Sequence, residues 1–336
     1  MAQTQIADVV VPAEFSAYIV ENSMVSAAIF QSGVALPNGL ISEQLQAGSA
    51  QFTVPVWSDD GESETDISSD NIAVLSTPLK LTAVPQVVRK HFLHQSWSEM
   101  SLASELAGSE ALARVQSRVQ AYWDRQYERR IIASMLGVLY SNVANNGSDI
   151  VNDISGLAGN LANGNPASSF NGKSVIDTAL TLGDRLSDVK MIAMHSKIFG
   201  EALKNNEIQF FKPSDNSLDI PTYKGMGVII DDNLTTSTAG LYVTVLMGPG
   251  AFGFGVSEPR TGFSTEVFRI PSAGNGGGNT RLHSRFNSAF HPLGMSFTNV
   301  SVAGESPLLA ELALPANWTR SAFARKTIPL AYLISH

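Results

Sequence analysis

The sequence predicts an α+β fold in which one long helix stands apart from a body of strands. Two observations carry that prediction. Apolar residues alternate with period two from Gln51, and again in several runs from Tyr223 onward. Between them lies a proline-free stretch with helical periodicity that ends near Val143.

Composition narrows the setting. At 336 residues and 44% hydrophobic side chains the chain can bury one large core, so one folded unit with subdomains is expected. A net charge of −8 excludes a protein that works by gripping phosphates with clustered Lys and Arg. There is no cysteine, which removes disulfides and thiolate chemistry and fits folding in a reducing cytoplasm. MAQTQIADVVVPAEF has no basic n-region followed by an apolar h-region, and no run approaches the ~18 apolar residues of a membrane span. A soluble, non-exported, non-membrane protein is expected.

Residues 1 to about 50 mix short apolar clusters (Val9-Val10-Val11, Ala27-Ala28-Ile29-Phe30) with Pro12, Gly33, Pro37 and Gly39, and read as an arm laid over something else. From Gln51, Phe52, Val54 and Val56 share one strand face, ending at Asp59. Asp59 to Asn71 carries six carboxylates and no base, and Ile72 to Phe92 is again extended, with Leu79, Leu81 and Ala83 alternating. Pro78 and Pro85 confine that second run to edge or two-stranded pairing. The pair is a hairpin with an acidic tip, and an isolated ribbon is marginal in water, so it is expected to find partners on another chain.

The long helix is expected from Ser98 or Ser109 to about Val143, with Gly108 and Gly137 as weak points. Spacing of 100° per residue puts Leu112, Val115, Val119, Tyr122 and Trp123 on one face and Arg114, Arg118, Arg125 and Arg129 on the opposite one, bordered by Glu110, Asp124 and Glu128. This stripe is either a solvated face laced with ion pairs or a charged seam to a neighbouring subunit or to DNA. After a Gly/Asn-rich stretch, Ser174 and Asp177 suggest a capping box opening a helix with Ile176, Ala179, Leu182 and Leu186 inward. Strand Val189–Met194 leads to helix Ser196–Lys204, with Ile198, Phe199, Ala202 and Leu203 as its apolar stripe. Strands follow at Gly225–Ile230, Leu241–Met247, Ala251–Val256, Gly262–Ile270 and Leu282–Phe290, the last two separated by PSAGNGGGNT.

Chemistry finds little footing. Gly248-Pro249-Gly250-Ala251-Phe252-Gly253 matches G-x-G-x-x-G, but Phe254 to Pro259 reads as a strand where a dinucleotide site needs a helix. His91 and His94 lie on opposite faces of a strand, so no metal site is expected, and there is no G-x-S-x-G elbow or P-loop. The acidic tip lacks EF-hand spacing; solvation and edge protection are its expected roles. Neither enzyme, cofactor nor metal is expected.

Five phrases in order, behind the acidic hairpin and long helix, carry a resemblance: KMIAMHSKIFGEAL (Lys190 to Leu203), IPTYKGMGVIIDDNL (Ile220 to Leu234), YVTVLMGPGAFGFG (Tyr242 to Gly255), HSRFNSAFHPLGMSF (His283 to Phe297) and SPLLAELALPANWTR (Ser306 to Arg320), the last followed by Lys326. Over roughly Ser49 to Ile334 the chain resembles the tailed-bacteriophage major capsid proteins with the Hong Kong 97-like fold. The resemblance implies an N-terminal arm (1–49), an extended E-loop hairpin (50–97), a P-domain spine helix with its following loop (98–171), an A-domain (172–258), P-domain strands and loop (259–305) and a C-terminal return segment (306–336). It also implies a shell of pentamers and hexamers enclosing DNA in a virion, assembled in the host cytoplasm with a portal, a scaffolding protein and in some cases a decoration protein. On this reading the glycines at 248, 250, 253 and 255 punctuate tightly packed strands. An encapsulin-type nanocompartment shell is the alternative within the fold, and a nucleotide-binding enzyme the alternative outside it.

Two departures limit what carries over. The hairpin starts near residue 50, leaving no room for the long helical scaffolding region that some members carry, so a separate or very short scaffold is implied. The acidic tip has no Lys, the nearest in the hairpin being Lys80, so cross-linking between subunits is not expected. Expected inter-subunit contacts are Phe52, Val54 and Val56 of the hairpin, with Arg114, Arg118, Arg125 and Arg129 of the helix meeting carboxylates across a seam.

Overall fold

The computed structural model describes residues 34–57, 64–68, 70, 71, 73, 75, 76, 83–107, 115, 118–160, 166–211, 220–261, 263–321 and 324–336. The apolar clusters of the arm, Leu79, Leu81, Leu112, Arg114 and part of the acidic tip lie outside them. The described residues open with β1 (Ala35–Pro37) and α1 (Gly39–Gln46), then β2 (Gln51–Trp57) and β3 (Ala83–Arg89), which pair antiparallel from Gln51↔Arg89 to Trp57↔Ala83 as a two-stranded sheet. Pro55 and Pro85 face each other across that ladder, where no third strand among the described residues asks for their missing N–H groups. The alternation holds: Phe52 is buried and Val54 and Val56 half-buried, while Thr53, Pro55 and Trp57 are exposed.

The expectation of helix from Ser98 fails. Residues His91–Met100 form β4, because the neighbouring strand offers it a ten-residue antiparallel ladder from His91↔Ser288 to Met100↔Asn279. A short helix α2 (Ser101–Ala107) follows, and the long helix α3 runs Val119–Asn145, 27 residues or about 40 Å. Gly137, expected as a weak point, is a site of close approach: a β-carbon there would collide with the Leu312 carbonyl oxygen and the Trp318 indole.

Beyond β5 (Val151–Asp153) lies α4 (Gly172–Leu180). Its cap is one turn earlier than expected. Asn171 accepts from the Ser174 backbone N–H at 2.9 Å while Ser174 Oγ accepts from the Asn171 N–H at 3.4 Å, so Ser174 is the third residue of the helix rather than its cap. The inward face turns with it: Val175, Ala179 and Leu182 are buried, whereas Ile176 and Leu186 are exposed, since a 3-10 turn at Gly183–Asp188 breaks the periodicity.

Next come β6 (Met191–Met194), α5 (Ser196–Lys204), β7 (Ile208–Phe211), β8 (Ile220–Tyr223), β9 (Met226–Ile230), β10 (Tyr242–Met247), β11 (Phe252–Ser257), β12 (Thr265–Ile270), β13 (Asn279–Pro292), β14 (Met295–Phe297), α6 (Leu309–Leu312), β15 (Trp318–Arg320) and β16 (Leu330–Ser335). In α5 the expected stripe holds at Ile198 and Ala202, which are buried, with Phe199 packed beside them; Leu203 is exposed.

Two larger sheets result. A seven-stranded mixed sheet has the order β5-β16-β10-β6-β9-β8-β7; a second has β13 at its centre, β4 along one side and β11 and β12 along the other, with β1 beyond β11. Alternation on β10 and β16 splits the core. Leu246, Ala331 and Leu333 meet Val175 and Ile198 of the covering helices, while Val245, Met247, Leu330 and Tyr332 join the cluster of Met135, Val138 and Leu139. Phe252 and Phe290 of the other sheet belong to that same cluster, which is why the C-terminal half of α3 is buried nearly all round.

Gly248 and Gly250 occupy the turn between β10 and β11, Gly250 at φ +69°. The chain continues as a strand, so no helix N-terminus meets a pyrophosphate and the dinucleotide fingerprint has no footing. Gly253 and Gly255 let α1 lie on β11: a β-carbon at either would sit 3.0–3.1 Å from Ile41.

Candidate inter-subunit surfaces

The hairpin's apolar face divides at its root. Phe52 is 8% exposed and packs with Val88, Ile41, Leu45 and Ala289, with Val54 against the same cluster, so both side chains are committed to their own chain. Val56 is half-buried and Trp57 is 69% exposed, so the outer end of the ladder presents the apolar surface that faces away from the body. Ile67 and Leu75 near the tip are 90% and 85% exposed.

Among the expected arginines, Arg118 and Arg125 are half-buried and Arg129 is exposed on α3. Asp124, expected to border the stripe, is half-buried and accepts from Gln120 at 2.9 Å in an exposed hydrogen bond, whereas Glu128 is buried and leaves the solvated border. No carboxylate among the described residues comes within ion-pairing distance of Arg125 or Arg129.

Arg130, one position on, was not singled out by helical spacing. Its Nη1–H donates to the Pro307 carbonyl at 2.9 Å, and burial holds its pKa down to about 10. With Phe92, Leu93, His94, Tyr122, Trp123, Gln126 and the 306–308 segment it lines a groove at the root of the hairpin. Only the fold brings β4, α3 and the 306–308 segment together, so the residues carry no local signal. Trp123 seals the inner side by edge contact with Phe286 at 5.3 Å and by donating its Nε1–H to Ser284 Oγ at 2.9 Å.

The histidines separate as the strand requires. His91 is buried, its pKa held well below the usual imidazole value by burial and then by Arg130 and Arg89, while His94 is exposed on the other face, its Nε2 3.1 Å from His283 Nδ1. No group of three His, Asp or Glu able to hold a metal occurs among the described residues. His195, Ser196 and Asp232 superficially resemble a triad. However, His195 Nδ1 accepts the Lys197 backbone N–H at 3.0 Å as the cap of α5, and Asp232 accepts the Ser196 N–H at 3.4 Å, so all three serve the helix start.

No family model matches the sequence. The chain is 31% identical over 327 residues to the major capsid protein of Bacillus phage SPP1, covering 95% of this chain and 94% of that one. Among solved structures it is similar to the capsid of cyanophage Pam1 (TM-score 0.59, 12% identity, 100% and 99% of the two chains) and to the capsid of Ralstonia phage GP4 (TM-score 0.59, 8% identity, 100% and 98%). At these identities the solved structures speak for fold alone. That fold is the α+β, Hong Kong 97-like capsid type the sequence resembles.

Proposed function

The chain belongs to the major capsid proteins of tailed bacteriophages, and from that premise we propose that its copies assemble into pentamers and hexamers of an icosahedral head shell enclosing the phage genome. The observation that carries this reading is agreement with a major capsid protein along nearly the whole chain, including the hairpin. Its role is structural. Shell subunits need contacts with several neighbours, more than the ~1,600 Å² of one standard interface. A hairpin that projects beyond the core supplies such area at little cost in chain length.

In this reading the outer part of the hairpin, Val56 and Trp57 onward, lies on the adjacent subunit, while Phe52 and Val54 anchor its root. Arg125 and Arg129 on α3, with Arg118 at its N-cap, form the cationic side of the seam. The acidic chain contains DNA without gripping it. Scaffolding and portal proteins act with it during assembly in the host cytoplasm, and a decoration protein is compatible with the finished virion.

Negative-stain electron microscopy of the purified protein after size-exclusion chromatography, with and without a co-expressed scaffolding protein, tests the proposal. Closed shells, tubes, pentamers or hexamers are expected. A monomer or dimer under every condition would overturn it.

A further inference from the structure

The sheet built on β13 carries a pair of histidines on the face turned away from α3, whose Trp123 meets Ser284 and Phe286 on the other face. There the ladders set His94 of β4 opposite Arg285, and His283 opposite both Ser96 of β4 and Glu266 of β12. His94 and His283 are thus diagonal neighbours across two strands. Their rings close the gap, with centroids 5.4 Å apart, planes within 20° of parallel, and His94 Nε2 3.1 Å from His283 Nδ1. The two residues are 189 positions apart in sequence, so only the pairing of β4 with β13 creates the site.

Two nitrogens 3.1 Å apart can both lie about 2.0–2.1 Å from one ion, at an N–metal–N angle of about 95–102°, between the square-planar and tetrahedral values. The protonation state suits a ligand. Burial, then His283 and Arg285, hold the His94 pKa below the usual imidazole value, so at neutral pH its ring is uncharged. The neutral pair keeps one proton between the facing nitrogens. Moving it to the far nitrogen of the same ring frees both lone pairs without any change of charge. Arg285 is the nearest cation, and Glu266 offsets it with Oε2 3.3 Å from Arg285 Nη2. Ser96, small and exposed beside His283, leaves room for water.

We propose that His94 Nε2 and His283 Nδ1 together bind one transition-metal cation of the Zn²⁺, Ni²⁺ or Cu²⁺ class, with water in its remaining positions. Among the described residues no third His, Asp or Glu is grouped with the pair, so the metal exchanges freely and the fold does not depend on it. Bound metal ties β4, the strand that leaves the hairpin, to β13. The site lies within one chain and does not require assembly.

Isothermal titration of the purified full-length chain with Zn²⁺ and with Cu²⁺ tests the site, in millimolar Ca²⁺ so that carboxylate clusters are already occupied by a cation that prefers oxygen. One equivalent should bind, Cu²⁺ more tightly than Zn²⁺. His94→Asn and His283→Asn should each weaken binding by at least the roughly tenfold that loss of even a supporting residue costs a metal site. His336→Asn, at the exposed last residue, should leave it unchanged. Circular-dichroism melts without metal check that the variants fold. The electron paramagnetic resonance spectrum of the wild-type Cu²⁺ complex needs no variant, and hyperfine splitting from two imidazole nitrogens is expected. A spectrum with one nitrogen or none, binding indifferent to both substitutions, or no binding in Ca²⁺ would overturn the site.

Discussion

At Gly137 a missing side chain decides how the spine helix packs. Glycine costs about 1 kcal/mol relative to alanine inside a helix, so propensity alone favours replacement. The Leu312 carbonyl and the Trp318 indole occupy the place a β-carbon would take, and Trp318 Nε1–H already donates to Leu312 O at 2.7 Å, which holds that segment in position. Gly137→Ala is therefore expected to lose about 1–3 kcal/mol net in urea unfolding of the monomer, with overpacking outweighing helix propensity. A second residue-scale effect is set by His291, whose Nε2 lies 3.0 Å from Gln86 Oε1 and whose pKa burial pushes down to about 4. The unfolded imidazole titrates near 6.5, so between roughly pH 6.5 and 4 the unfolded chain binds more protons than the folded one. The stability that neutral His291 contributes is whole above 6.5 and is lost as pH falls toward 4. Wild type should thus lose up to about 3 kcal/mol more than His291→Gln over that window in pH-resolved denaturation. Equal pH slopes for the two proteins would show that His291 is not the source.

The hairpin shows the same division at the scale of an element. Its root is anchored by Phe52, Val88, Ile41 and Leu45, and Lys90, buried beside it, donates from Nζ to the Ala47 carbonyl and lies 5.8 Å from the Phe52 ring centroid. Among the described residues, Val56, Trp57 and those beyond them toward the tip are not part of that cluster. Deleting residues 59–70 is therefore expected to change the unfolding midpoint of the monomer little and to suppress particle formation in electron microscopy. Normal particles would mean that the tip has no part in assembly. Elements whose pattern was local were legible in the sequence: the hairpin from its period-two face and the prolines at 78 and 85, α5 to its end residues, β10 from YVTVLM. The elements misread were those fixed by distant partners. The stretch from Ser98 to Met100, expected as helix, is strand because β13 lies beside it, and the α4 helix starts at Gly172 because Asn171 rather than Ser174 supplies the cap. The groove was illegible for the same reason, since Phe92, Trp123, Arg130 and Leu308 meet only after β4, α3 and the 306–308 segment are packed.

Across the whole molecule two electrostatic effects of opposite sign act on assembly and differ in range. Each copy carries a net charge of −8, so copies brought together repel at long range. The proposed seam sets arginines of one copy a few ångströms from carboxylates of another. The Debye length falls from about 30 Å at 0.01 M salt to about 10 Å at 0.1 M and 3 Å at 1 M. The first decade of salt therefore removes the long-range repulsion while sparing the close pairs, and only the second weakens the pairs themselves. Light scattering of the assembling protein should accordingly rise with salt, pass through a maximum and fall toward 1 M. Arg125→Glu combined with Arg129→Glu subtracts two charges at each position and removes part of the attractive seam. That variant should need more salt to assemble and should keep rising where wild type declines. A wild-type profile that climbs monotonically to 1 M would mean that apolar contacts alone hold the copies together, because salt strengthens apolar burial while it screens ion pairs.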